Sequence, residues 1–154
     1  MNIPRNWTFK DTGVAEGFDL HVREQLPWYE LTTGIISHIA RHYIPEGGLV
    51  YDLGASTGNI GNAISGTLEN RNANLIAVEN SEEMASLYAG PGKLILSDVT
   101  DMDFEPCDLV ICFLLLMFIS QRKRSALISK IITALNPGGA LVIVDKCVPL
   151  EGYP

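Results

Sequence analysis

Leu49-Val-Tyr-Asp-Leu-Gly-Ala-Ser-Thr-Gly58 is the stretch whose reading decides the fold. Leu49–Leu53 is a short apolar run broken only by Asp52, the pattern of a strand covered on both faces. Small residues at 54–58 follow. They let the backbone approach a ligand or a neighbouring element without a Cβ in the way. Ile60, Ala63, Ile64 and Leu68 then recur at helical spacing, weakened by Gly61 and Gly66. Strand, glycine turn and helix in that order open a crossover unit.

The same alternation extends in both directions. Residues 1–18 are polar, contain glycine and have no clear period. A helix is expected from near Tyr29, with Leu31, Ile35 and Ile39 on one stripe and Ile36, Ala40 and Tyr43 beside it. Pro45, Gly47 and Gly48 end it. Further strands are expected at Leu75–Val78, Lys93–Leu96 and Leu109–Phe113. Asn80 or Ser81 can cap a helix whose first turn holds Glu82 and Glu83, which suits the helix dipole. Residues 121–135 carry Ala126, Leu127, Ile131 and Leu135 at helical spacing. Asn136-Pro-Gly-Gly139 then turns the chain into a fifth strand, Ala140–Val144. Such alternation means parallel strands joined by right-handed crossovers. The expected fold is α/β, a Rossmann-like parallel sheet of about five strands with helices on both faces.

Composition narrows the function classes. The chain has 154 residues, 47% hydrophobic and 19% charged, which suits one globular domain. Its net charge of −7 repels phosphate backbones, so nucleic-acid binding without help is disfavoured. Cys107, Cys112 and Cys147 form no CxxC pair and are odd in number, against both a zinc module and a disulfide framework. His38 and His42 stand four apart on a helix, but no Glu, Asp or Cys motif converges with them, so no metal site is expected. No signal-peptide pattern opens the sequence. The apolar run Leu109–Ile119 is short of the ~20 residues that span a bilayer. A cytoplasmic location is expected, with no membrane partner.

Ligands of an open parallel sheet bind at the carboxyl ends of the strands, near the switch in strand order. Three successive strand ends carry suitable groups here. The first ends in the glycine turn. The second ends in Glu79, 25 residues past Gly54, a spacing at which an acid can accept both ribose hydroxyls of an adenosine. The third is followed by Ser97-Asp98-Val99, where a carboxylate and a backbone N–H can meet adenine. Each signal alone is no better than a solvated acid or a packing turn; together they are ordered. Gly54, Gly58 and Gly61 do not fit G-x-G-x-x-G, which weakens a nicotinamide dinucleotide reading.

Asp52-Leu-Gly-Ala-Ser-Thr-Gly58, Glu79, Ser97-Asp-Val99 and Leu135-Asn-Pro-Gly-Gly139 together resemble class I S-adenosylmethionine-dependent methyltransferases. A narrower resemblance, over roughly residues 18–146, is to the carboxy-S-adenosylmethionine synthase branch. It rests on Phe18-Asp19 with Val22, Pro27-Trp-Tyr29, Ser56 in place of a common glycine, and Asn80-Ser81. The resemblance implies S-adenosyl-L-methionine as cofactor and a small-molecule acceptor. It implies that Gly54, Ala55 and Ser56 face the methionine portion and ribose, that Glu79 with Asn80 holds the ribose diol, and that Asp98 and Val99 hold adenine. It also implies that Tyr29 closes over the cofactor and that Cys112 or Phe113 borders the sulfonium. The segment Cys112-Phe-Leu-Leu-Leu-Met117 offers no polar or acidic group there, so no catalytic residue is assigned.

The corresponding domain division is a cap or lid at 1–28, the cofactor domain at 29–146 and a tail at 147–154. The family fold continues past the fifth strand with a helix and an antiparallel strand pair, which this sequence lacks. The branch also uses an arginine from that portion on a carboxylate, with no counterpart here. A fragment, or a homodimer covering the fifth-strand edge, is therefore expected. The activities to weigh are methyl transfer, prephenate-dependent carboxylation of the cofactor, and cofactor binding without turnover.

Overall fold

The computed structural model describes Thr8 and residues 12–147. The start of the expected cap and the tail from 148 lie outside the described residues. Eleven elements follow in order: α1 (Thr12–Gln25), α2 (Tyr29–Tyr43), β1 (Leu49–Leu53), α3 (Asn59–Asn70), β2 (Asn74–Glu79), α4 (Glu82–Ser86), β3 (Lys93–Leu96), β4 (Cys107–Phe113), a 3₁₀ turn (Leu116–Phe118), α5 (Gln121–Ala134) and β5 (Leu135–Val144). The five strands form one sheet in the order β3-β2-β1-β4-β5, and every pairing is parallel. The Rossmann-like α/β expectation is met.

Side chains alternate across the sheet, and this sorts the core into two layers. Val50, Leu75, Leu109 and Ile111 pack with Ile36, Ala40, Ile60 and Ile64 of α2 and α3. Tyr51, Leu53, Val78 and Val110 pack on the opposite face with Leu127 and Ile131 of α5. β1 is central, and the chain crosses from one side of it to the other between β3 and β4. That crossing places a crevice at the carboxyl end of β1.

Three expectations need correction. Residues 12–25 form helix α1, although Gly13 and Gly17 interrupt the sequence period; Val14, Ala15 and Val22 supply its buried side. In α2 the buried stripe is Tyr29, Thr33, Ile36 and Ala40, while Leu31 and Ile35 are 68% and 50% exposed. Helix α2 has apolar residues on more than one stripe, and the one that runs through Tyr29, Ile36 and Ala40 packs into the core. Strand β5 begins at Leu135, before the expected turn. Leu135 pairs with Cys107 and Ala140 with Leu109, so residues 136–139 loop out as an irregularity within the strand.

Asp108 fixes that irregularity. One carboxylate oxygen accepts from the Leu49 N–H at 2.9 Å, and the other from the Asn136 side-chain amide at 2.9 Å. Gly139 must be glycine, because a Cβ there would stand 2.9 Å from the Asp108 carbonyl oxygen. Three adjacent strands are thus joined at their amino ends, away from the crevice.

Candidate functional site

The turn after β1 is shaped by left-handed backbone. Gly54 has φ +76°, Ser56 φ +53° and Gly58 φ +100°. Gly58 cannot carry a side chain, since a Cβ would lie 2.6 Å from the Gly90 nitrogen. Ser56 holds an unusual conformation for a residue with a side chain, at a cost of order 1 kcal/mol. What secures it is visible: its N–H donates to Glu79 Oε2 at 2.9 Å. The other oxygen, Oε1, accepts from the N–H groups of Asn80 and Ser81 at 2.9 and 3.0 Å. Glu79 therefore locks the ends of β1 and β2 together while its carboxylate still borders the crevice.

Ser81 starts α4, its hydroxyl accepting from the Met84 N–H at 3.1 Å. After β3, Asp98 Oδ1 accepts from both the N–H and the hydroxyl of Thr100, each at 2.8 Å. The N–H bond is the largest of the influences that hold the Asp98 carboxyl below its ordinary range. Lys123 reaches the same Thr100 hydroxyl at 3.1 Å. At the amino-terminal side Tyr29 stacks on Phe113, centroids 5.0 Å apart and planes 23° from parallel.

These groups surround one cleft of about 620 Å³, a size suited to a nucleoside-sized ligand. Tyr29, Gly54, Ala55, Ser56, Glu79, Asn80, Asp98, Val99 and Phe113 all line it. Cys112 does not. It alternates to the other face of β4, packs with Tyr51, Leu53 and Val110, and burial pushes its thiol up to about 12. A one-residue step along a strand reverses the side, so Phe113 reaches the cleft and Cys112 the core.

Sequence reasoning missed Asp52 as a cleft group. It is 1% exposed, yet it lines the cleft, and its Oδ2 has no hydrogen-bond partner. Burial first, and the Glu79 charge second, push its carboxyl up to about 7. Only its position, alternating with the apolar Tyr51 and Leu53, could have signalled this. The Ser56 hydroxyl is likewise buried without a partner. Also missed were the α1 side chains Phe18, His21 and Gln25, which form a wall of the cleft, and Lys146 beyond β5. His38 and His42 meet edge to face at 5.3 Å, outside the cleft lining.

The sequence profile of a family described as "Methyltransferase domain" matches residues 50–139, from β1 into β5. The chain belongs to this methyltransferase family. Within it, the sequence resembles the carboxy-S-adenosyl-L-methionine synthase branch. It is 34% identical over 148 residues to the enzyme of that name from Staphylococcus epidermidis, covering 93% of this chain and 64% of the relative. It is 33% identical over 150 residues to the one from Shigella boydii, covering 92% and 60%. The chain thus spans less than two thirds of the curated relatives it matches. Among solved structures it is similar to a putative S-adenosyl-L-methionine-dependent methyltransferase of Methanococcus maripaludis, with TM-score 0.65 and 17% identity over 91% of this chain and 66% of the other. It is also similar to a DhpI–SAH complex, with TM-score 0.64 and 18% identity over 84% and 62%. These likenesses show the methyltransferase family's fold. Among the described residues no helix is long and apolar enough to cross a membrane.

Proposed function

We propose that the cleft binds S-adenosyl-L-methionine and that the protein acts as an S-adenosylmethionine-dependent methyltransferase on a small-molecule acceptor. One observation carries the reading: the glycine turn, Glu79 and Asp98, from three successive strand ends, line a single cleft. The chemistry of the donor set fits the cofactor. The acids Asp52, Glu79 and Asp98 line the cleft. Carboxylates favour a ligand carrying a sulfonium and an ammonium. The Asp52 carboxyl and the Ser56 hydroxyl, both buried without a partner, provide an acceptor and a donor or acceptor for polar groups at the glycine turn.

In this reading Glu79 accepts from the ribose diol, with Asn80 beside it. Asp98 and the Val99 N–H meet adenine. Gly54 and Ala55 allow close approach of the amino-acid portion, and the Tyr29–Phe113 stack closes the reacting end. When bound, the cofactor supplies an already activated methyl group on its sulfonium. The apolar side chains Phe113, Leu114, Met117 and Ile119 exclude water there, and positioning can supply much of the rate. The test is calorimetric titration with S-adenosylmethionine and S-adenosylhomocysteine on wild type and Glu79→Ala, with NAD as control. Micromolar binding abolished by Glu79→Ala is expected. A folded wild type that binds neither compound overturns the reading.

The identity to proteins named carboxy-S-adenosyl-L-methionine synthase supports a second reading, carboxylation of the cofactor rather than methyl transfer. Prephenate-dependent appearance of the carboxylated cofactor by mass spectrometry selects it. We place the protein in the cytoplasm. We also propose a homodimer through β5, which lies at the edge of the sheet among the described residues and whose Ile143 is 43% exposed. A monomer by light scattering at every concentration rejects the dimer.

A further inference from the structure

Helix α1 forms an outer wall of the cleft, and most of the polar links from its outer side run through one side chain. Helix α1 bridges from α2 to α4, and Phe18, Val22 and Gln25 on its inner side line the cleft. Its outer polar groups converge on Arg23. The guanidinium Nε donates to Glu30 at the start of α2. Nη1 donates to the Asp19 carbonyl at 2.9 Å, and Nη2 to Asn59 Oδ1 at 3.3 Å, on the first residue of α3. The guanidinium carbon lies 5.5 Å from the centre of the Tyr29 ring. Asp19 in turn accepts from the Thr57 hydroxyl at 2.7 Å, inside the glycine turn itself. One planar, five-donor group therefore links α1, α2 and α3 and rests on the ring of Tyr29, a cleft residue.

The strength of these links is as informative as their number. The Arg23 side chain is 38% exposed, and Asp19 and Glu30 are 51% and 63% exposed. Exposed ion pairs are weak and screened by salt. Among the described residues α1 buries Val14, Ala15 and Val22, and Phe18 packs partly buried against the core. The outer links add to this apolar packing, and they can part without breaking the core. A ligand enclosed under α1 needs such a wall to enter and to be kept.

We propose that Arg23 is a positioning residue that latches α1 over the cleft and seats the Tyr29 ring, so that it governs how long the cofactor stays bound. Arg23 is not among the residues that line the cleft, so the latch acts through α1 and Tyr29. The proposal rests on the cofactor reading above, but its first test does not. Hydrogen exchange of α1 amides is measured without ligand on wild type, Arg23→Met and Arg23→Lys. Methionine keeps much of the aliphatic length and removes charge and donors; lysine keeps the charge but not the fork.

Exchange in α1 is expected to quicken about tenfold in Arg23→Met and by less in Arg23→Lys. Raising salt to 0.5 M is expected to quicken exchange in wild type and leave Arg23→Met unchanged, with β1 and β4 amides unaffected. The second test is the dissociation rate of S-adenosylhomocysteine followed by Trp fluorescence. It is expected to rise about tenfold in Arg23→Met, with the association rate nearly constant. Unchanged α1 exchange in a folded Arg23→Met overturns the latch whether or not the ligand binds. Wild type that fails to bind S-adenosylhomocysteine overturns the cofactor reading and, with it, the role in retention. Binding with an unchanged dissociation rate overturns that role alone.

Discussion

Replacing Asp52 by Asn should make the protein more stable at pH 8 and leave it almost unchanged near pH 4. Asp52 is fully enclosed, its Oδ2 has no partner, and its carboxyl is raised from 3.8 to about 7 by burial and by Glu79. Between those values the folded protein keeps a proton that the unfolded chain has released. Stability therefore falls as pH rises from about 4 to about 7 and levels off above. At 1.36 kcal/mol per tenfold step in proton affinity, the loss is bounded at about 4 kcal/mol. Local relaxation and water entering the open cleft reduce it, and about 2–3 kcal/mol is expected. Asn keeps the shape and carries no charge, so it escapes this loss. The assay is urea denaturation followed by circular dichroism from pH 4 to pH 8 on both proteins, comparing their difference at each pH. Subtraction removes groups common to both, including Asp98, whose lowered carboxyl affects stability with the opposite sign and at lower pH. A difference that stays constant across the range would refute the reasoning.

Glu79→Gln should cost about 2 kcal/mol in denaturant unfolding, because a neutral amide replaces a carboxylate that accepts three backbone N–H bonds. Gly58→Ala should be among the most damaging single changes, combining a φ of +100° with a 2.6 Å approach to Gly90; a melting temperature within a degree of wild type would count against the turn geometry. Ser81→Ala removes the acceptor that caps α4 and should cost about 1 kcal/mol. A thiol reagent at pH 8 should modify exposed Cys147 quickly and leave buried Cys107 and Cys112, pushed up to about 11 and about 12, until unfolding.

Strands were legible in the sequence because a strand covered on both faces is a continuous apolar run, and Leu49–Leu53 appears in the structure with the same ends. The glycine turn, Glu79 and Asp98 were legible as a set because all three follow strand ends, where the fold must put its crevice. Helix α1 was hidden, since Gly13 and Gly17 interrupt its apolar period and lower its helix propensity. The stripe of α2 was misread for another reason: Leu31 and Ile35 look like core, but the helix turns Tyr29 and Thr33 inward. Thr33 satisfies its hydroxyl on the Tyr29 carbonyl and accepts from the Asn59 amide, so a polar residue is tolerated there. Cys112 and Phe113 could not be separated without the phase of β4. Asp52 read as part of a strand, and only the fold shows that its carboxyl lies where three strand ends open.

The bonds from Asp108 to Leu49 and Asn136 set where the protein can tolerate change in length. They fix the phase of β5 against β4 and of β4 against β1 at the end of the sheet remote from the cleft. An inserted residue near 45–49 or 136–139 would turn alternate side chains of a whole strand to the wrong layer. An inserted residue in the rim loops that follow β3 and β4 would leave those bonds in place, although one in the glycine turn 54–58 would not be tolerated so easily. Variation in what such a protein binds can therefore accumulate at one end of the sheet while the other end keeps the layers in register.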